Sequence, residues 1–216
     1  GVIVVGPVPE PDKVGKASLS LSAATGYPIL ADPLSGARFG PSRGADRVAA
    51  YDLFLRDETI CGALKPDLVV RVGATPTSVA LQVWLQRHNG VRHIVVDAGG
   101  RWKDYGATAT DYVKADPGKT LCALAERADN TVDQGWASLW QTASRAARHA
   151  MDADGGDLHE GDVLATVTEV LPEGGNLFIS SSMPVRDLDG FGSPREEQLM
   201  VFGNRGASGI DGIVSS

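Results

Sequence analysis

Short β-branched runs alternate with helix-forming stretches across very short connections, and this alternation restricts the fold more than any other feature of the chain. Residues 1–6, GVIVVG, are an uninterrupted apolar run closed by Gly6 and Pro7, the pattern of a strand covered on both faces. DKVGKASLSLSAATG then reads as a helix with Gly26 as its C-cap. YPILADP is a second short strand, and SGARFGPSRG is a turn-rich loop. ADRVAAYDLFLRDE reads as a helix and KPDLVVRVG as a third strand. TSVALQVWLQRH predicts a helix with Val79, Val83 and Trp84 on one side, followed by the strand RHIVVD. DYVKAD is a short fifth strand. DPGKTLCALAERA is a helix with Asp116 as N-cap and Pro117 in its first position. Alternation of this kind over residues 1–130 predicts an α/β fold: a doubly wound, Rossmann-like parallel sheet with helices on both faces.

The pattern changes after Asn130. Trp136, Leu139, Trp140, Ala143, Ala147 and Met151 recur at helical spacing, a long amphipathic helix whose tryptophans read as packing residues. HEGDVLATVTEVLPEGG is a further helix with Val163, Leu164, Val167 and Leu171 on one face. NLFISSS and LMVFGNRG are two more strands, each running into a loop and a helix start. Residues 131–216 are therefore expected to hold connecting helices and the incomplete start of a second α/β domain, as in a segment of something longer.

Charge and cysteine usage remove several function classes. With 20 basic against 27 acidic residues the formal charge is −7, which argues against nucleic acid and anionic membranes as partners. Any bound anion must meet locally placed arginines. Cys61 and Cys122 are far apart and lack CxxC spacing, so neither a disulfide framework nor a zinc site is expected. His88, His93, His149 and His159 show no metal-ligand spacing. No apolar run approaches the ~18 residues of a membrane span, and a cytoplasmic setting is expected.

Parallel sheets collect ligands beyond the carboxyl ends of their strands. In NLFISSSMPVRDLD, Ser180, Ser181 and Ser182 precede a helix start, and Arg186 lies about one turn in. In LMVFGNRGASGIDG, Arg205 sits in a glycine-rich turn before Ser208, Gly209 and Ile210. Hydroxyls, free amides and two guanidiniums at adjacent strand ends suit a phosphate or carboxylate, although glycines in such loops also serve plain turn geometry. VGATPTS (72–78) is a strand–glycine–helix junction without the complete G-x-G-x-x-G spacing of a dinucleotide fingerprint. Asp97 either caps a loop or meets a ribose. Arg38 and Arg43 belong either to a solvated charged loop or to an anion or effector pocket.

SSSMPVRDLD and FGNRGASGIDGIVSS, with ADPLSGARFG, resemble the corresponding stretches of the SEPHCHC synthase (MenD) family, thiamine-diphosphate-dependent enzymes of menaquinone biosynthesis. The resemblance covers essentially the whole chain and is most specific in its last 40 residues. It implies a subunit of three domains, of which this chain is the central one and the start of the diphosphate-binding one. It further implies decarboxylation of 2-oxoglutarate and addition of the resulting succinyl carbanion equivalent to isochorismate, with thiamine diphosphate and Mg²⁺ as cofactors. By similarity, Arg186 and Arg205 hold substrate carboxylates, Ser182 lies at the cofactor or substrate edge, and Ile210 is an apolar wedge against the cofactor beside Ser208 and Gly209. The metal ligands and the activating Glu would lie outside the chain, which carries no catalytic residue and would not turn over alone. The family resemblance also implies a homo-oligomer. Two alternatives are another thiamine-diphosphate-dependent 2-oxo-acid enzyme and a non-catalytic nucleotide- or effector-binding α/β module.

Overall fold

The computed structural model describes residues 1–100, 104–128, 133–153 and 158–204. Six parallel strands form one sheet in the order β3-β2-β1-β4-β5-β6. They are β1 (Val2–Val5), β2 (Ile29–Ala31), β3 (Arg47–Val48), β4 (Leu68–Val72), β5 (Arg92–Val96) and β6 (Asp111–Val113). The unbroken apolar run of β1 has a simple cause. Val2 and Val4 enter one core, Ile3 and Val5 enter the other, and all four have no exposed surface. Successive side chains of a strand point to opposite faces, so a central strand covered on both sides has no polar position.

Helices α1 (Pro11–Thr25) and α5 (Pro117–Glu126) supply Val14, Ala17, Leu21 and Leu121 to the core containing Ile3. Gly26 ends α1 in the left-handed conformation, φ 65°, and its N–H donates to Ser22 O. The Asp116 carboxylate accepts from Lys119 N at the start of α5. On the opposite face lie α2 (Tyr51–Phe54), α3 (Glu58–Ala63), α4 (Val79–Arg87) and α6 (Gln134–Ala153). Trp140 of α6 is fully buried against Trp84 of α4 and Phe54 of α2, with ring centroids 5.3 and 6.0 Å apart in edge-to-face geometry. The long helix therefore completes the core of the first sheet.

Three expectations need correction. ADRVAAYDLFLRDE is not one helix: Arg47–Val48 pairs with Ile29–Leu30 as an edge strand. Ala50, at φ 52°, turns the chain into α2, and the Asp57 carboxylate caps a separate α3 by accepting from Thr59 N and Ile60 N. On α4 the buried face is Ala80, Leu81, Trp84 and Leu85, while Val79 and Val83 are 62% and 41% exposed. The pairs 80/84 and 81/85 are adjacent i, i+4 rows facing the sheet, and 79/83 is the row beyond them. On α7 (Glu160–Val170) Val163 is exposed and Thr168 takes the inner position, in line with Gly161, which lies against the Phe191 ring.

A second, two-stranded parallel sheet pairs β7 (Gly175–Ile179) with β8 (Leu199–Gly203), and α8 (Met183–Phe191) connects them. Its core of Ile179, Val185, Leu188 and Leu199 also contains Leu34 and Phe39 from the loop after β2. Residues 192–198 are sewn to that loop. Gly40 N donates to Arg195 O at 3.0 Å, Ser42 N to Glu196 Oε2 at 2.9 Å, and Arg47 pairs with Glu196 at 2.7 Å.

Candidate functional site

Parallel pairing puts the carboxyl ends of β7 and β8 side by side, with Ile179 opposite Gly203. A side chain at Gly203 would meet Leu34 at 3.1 Å and Ile179 at 3.2 Å, so the strand end lies tightly against the first sheet's loop. The Ser181 hydroxyl donates to Asn204 O, tying the two outgoing loops together. Ser182 opens α8 with φ 73° and ψ −129°, a conformation that side-chain-bearing residues seldom adopt. Strain of this kind persists only where the surroundings enforce it, and it gathers at functional sites. Ser182 and Arg186 both face solvent at this end of the helix. The Arg186 Nη1 lies 3.8 Å from Met183 Sδ, and among the described residues the guanidinium has no carboxylate partner. A hydroxyl, a helix start and an exposed guanidinium thus lie at one end of α8. Arg205, Ser208, Gly209 and Ile210 lie outside the described residues.

What holds α8 in place was not expected. Arg38 is 1% exposed and spends its donors inward. Nη1 donates to Ala31 O at 2.9 Å, Nη2 to Gly192 O at 3.0 Å and also to Asp189 O. Its guanidinium lies 5.5 Å from the centre of the Tyr51 ring and 3.7 Å from Asp189 Oδ1. The Tyr51 oxygen is 2.5 Å from Asp189 Oδ1 and 3.2 Å from Ala31 O. Burial pushes the Asp189 carboxyl up to about 7, against the pull of Arg38. Burial also pushes the Tyr51 phenol well up, so it remains a donor. For Arg38 both the solvated loop and the open anion pocket are readings to correct, whereas Arg43 keeps a solvent-exposed place. The Arg38 donors are consumed between the two sheets, and Arg43 is exposed at φ 55°. Phe39, an aromatic residue inside a glycine-rich loop, was the available signal for a packed seam. Asp189 sits on the same helix face as Val185 and Leu188, which was the signal for a buried carboxyl.

At the carboxyl end of the first sheet the 72–78 junction leaves little for a phosphate. Ala74 N donates to Pro7 O at 2.8 Å and Thr77 N to Asp32 Oδ2 at 2.8 Å; Ser78 caps α4 by accepting from Leu81 N at 3.0 Å. A side chain on Gly6 would come within 1.9 Å of Ala74 O, so the loops after β1 and β4 cross in contact. The nearby crevice, about 120 Å³, is lined by Glu10, Asp97 and Asp116. That is below the ~300 Å³ of ordinary ligand pockets, and two of its carboxylates, Glu10 and Asp116, are paired with Lys13. No group of three or more His, Cys, Asp or Glu able to hold a metal occurs among the described residues, and none of their helices is long and apolar enough to cross a membrane.

Known proteins resemble the chain from end to end. Three relatives are each named 2-succinyl-5-enolpyruvyl-6-hydroxy-3-cyclohexene-1-carboxylate synthase. The one from Halorubrum lacusprofundi is 43% identical over 238 residues, covering 100% of this chain and 38% of the relative. Those from Chloroflexus aurantiacus and Geobacillus kaustophilus are 39% identical over 224 residues and 40% over 219, again covering 100% of this chain and 38% of each relative. The chain thus spans about 38% of the length of these relatives. A family model described as "Middle domain of thiamine pyrophosphate" matches residues 1–179, and together with the six-stranded parallel sheet this places the chain in that family of thiamine-diphosphate enzyme middle domains.

Proposed function

We propose that the chain is the central part, and the beginning of the diphosphate-binding part, of a SEPHCHC synthase that decarboxylates 2-oxoglutarate and adds the remaining four-carbon unit to isochorismate. The observation that carries this reading is the likeness to synthases of that name along the full 216 residues. Thiamine diphosphate, with Mg²⁺, would supply the electron sink for loss of CO₂. The rim residues fit the carboxylates of both substrates. Ser182 offers a hydroxyl at a helix start and Arg186 a planar fork matched to a carboxylate. Arg205 joins them as a second carboxylate holder in this proposal, with Ser208, Gly209 and Ile210 against the cofactor. Homo-oligomerisation and a cytoplasmic setting belong to the same reading.

The test uses the full-length protein with thiamine diphosphate, Mg²⁺, 2-oxoglutarate and isochorismate, following CO₂ release and isochorismate loss. Coupled consumption of both substrates is expected. Decarboxylation without isochorismate loss would point to another thiamine-diphosphate enzyme. Arg186→Ala should lower kcat/KM by about 10- to 100-fold, the range of a lost charge-assisted hydrogen bond, with the melting temperature preserved. Unchanged kinetics would remove Arg186 from the site.

A further inference from the structure

Asp189 lies three residues and about 4.5 Å of helix rise from Arg186, neighbouring positions of α8 of which the first is buried and the second exposed. Asp189 is 1% exposed, and its contacts reach the first sheet rather than its own. Oδ1 meets Tyr51 of α2 and faces Arg38 of the loop after β2, while Oδ2 has no hydrogen-bond partner among the described residues. Both Tyr51 and Arg38 also hold Ala31 O, the last residue of β2. The helix bearing the proposed substrate rim is therefore tied to β2 of the other sheet through Tyr51 and Arg38, which meet the Asp189 carboxyl, and through the Arg38 donors to the Asp189 and Gly192 carbonyls.

We propose that Asp189 is a positioning residue for α8, setting, through Tyr51 and Arg38, where the turn bearing Ser182 and Arg186 stands relative to the first sheet. The proposal rests on the functional reading above for its kinetic consequence, but not for its structural one.

Two hydrogen-bonded arrangements are available to the unit. With Asp189 ionised, the single Tyr51 proton goes to Oδ1 and Arg38 balances the charge. With a proton taken from solvent onto Oδ1, the carboxyl donates to the Tyr51 oxygen and the Tyr51 proton turns to Ala31 O. Burial brings the exchange near neutrality, at about 7. The groups facing Asp189 are Arg38, Asp32 and, from α2, Tyr51 and Asp52. Arg148 of α6, which donates to Phe191 O at 2.7 Å, acts on Arg38 from the far side. The Asp32 oxygens accept from Leu34 N and Thr77 N, and Asp52 pairs with Arg56 and accepts from Ser78, so neither carboxylate is a donor to Asp189. An unpaired Oδ2 in this setting makes the carboxyl sensitive to its charge state, since a buried charge without its full complement of partners is disfavoured.

The experiment compares full-length wild type, Asp189→Asn and Tyr51→Phe by hydrogen–deuterium exchange of the peptide spanning 180–188 at pH 6 and pH 8, corrected for intrinsic exchange. Steady-state kinetics with 2-oxoglutarate and isochorismate run alongside. Wild-type protection of this peptide is expected to differ between the two pH values. In Asp189→Asn that difference should vanish, and kcat/KM should fall by up to about 100-fold, as for a small displacement of positioning groups. The wild-type pH dependence of kcat/KM near 7 should disappear with it. Tyr51→Phe, which deletes a single oxygen, should reproduce the loss of pH-dependent protection and decides the matter if Asp189→Asn does not fold. If both variants keep the wild-type exchange pattern at both pH values, the proposal is overturned. If the wild type turns over neither substrate, the functional reading fails, and the exchange data still decide whether Asp189 positions α8.

Discussion

Trp84 and Trp140 are both fully buried, in one core and in edge contact, yet their indole nitrogens differ. Trp84 Nε1 donates to Leu64 O at 3.1 Å, whereas Trp140 Nε1 has no partner among the described residues. Replacing either by Phe removes a similar volume and leaves a similar cavity. The polar terms separate the two. Trp84→Phe strands a buried carbonyl, at about 1–3 kcal/mol, on top of the cavity. Trp140→Phe instead removes a buried N–H that has lost its water, recovering part of that same amount. Trp84→Phe should therefore be the more destabilising by about 2 kcal/mol or more. Urea denaturation followed by far-ultraviolet circular dichroism measures the difference without depending on the substituted fluorophores. Equal midpoints, or a larger loss for Trp140→Phe, would refute the hydrogen-bond reasoning. A negligible effect of Trp140→Ala, where about 3–5 kcal/mol is expected, would show that α6 does not complete the first sheet's core.

Other outcomes follow from single contacts. Arg38→Met should lower stability by about 3–5 kcal/mol, because it leaves the buried Ala31, Asp189 and Gly192 carbonyls without their donor and removes the charge facing the Asp189 carboxyl; Arg43→Ala should stay within about 0.5 kcal/mol, and thermal melts compare them. Asp189 holds a proton in the native state up to about pH 7, whereas the unfolded carboxyl releases it near 3.8. Stability from this group is thus fully present below pH 3.8 and is lost as pH rises through 7, by up to about 4 kcal/mol. His93 acts oppositely: burial lowers it from 6.5 to about 4, so its contribution is lost as pH falls through that interval. The wild type minus Asp189→Asn difference isolates the first effect and should decline from pH 4 to pH 7; a flat difference would contradict it. Gly36→Ala places a methyl 2.0 Å from Pro11 O at φ 72° and should destabilise by about 3 kcal/mol or more. Gly44→Ala, at φ 82° with nothing nearer than 3.9 Å, should show only the backbone term of about 1–2 kcal/mol. Similar melting temperatures for the two would contradict the packing argument.

The first sheet was legible because its signals are local. β1 is apolar without alternation because both its faces are covered, Gly26 and Asp116 do at the helix ends what their side chains dictate, and period and caps need only neighbouring residues. The seam was illegible for the converse reason. Arg38 and Gly192 are 154 positions apart, and nothing in the periodicity of either segment announces the other. The edge strand at Arg47–Val48 was hidden in a stretch of good helix formers, and only pairing with Ile29–Leu30 reveals it. In the candidate site, the position of the serine run and Arg186 after a strand end was readable. Asp189 was less so: Val185 and Leu188 on its face pointed to burial, but its partners Tyr51 and Arg38 lie 138 and 151 positions away and nothing local names them.

The stitching of 192–198 onto the loop after β2 bears on how such chains can be recombined. A chimera that exchanges the two-stranded sheet for that of a relative, while leaving residues 36–47 untouched, would face Glu196, Arg195 and the Gly192 carbonyl with the wrong counterparts. The unit of inheritance is thus discontinuous in sequence. A glycine-rich loop near the start of the chain travels with strands encoded some 150 residues later, and crossover points that respect this pairing should give folded hybrids where simple cuts do not.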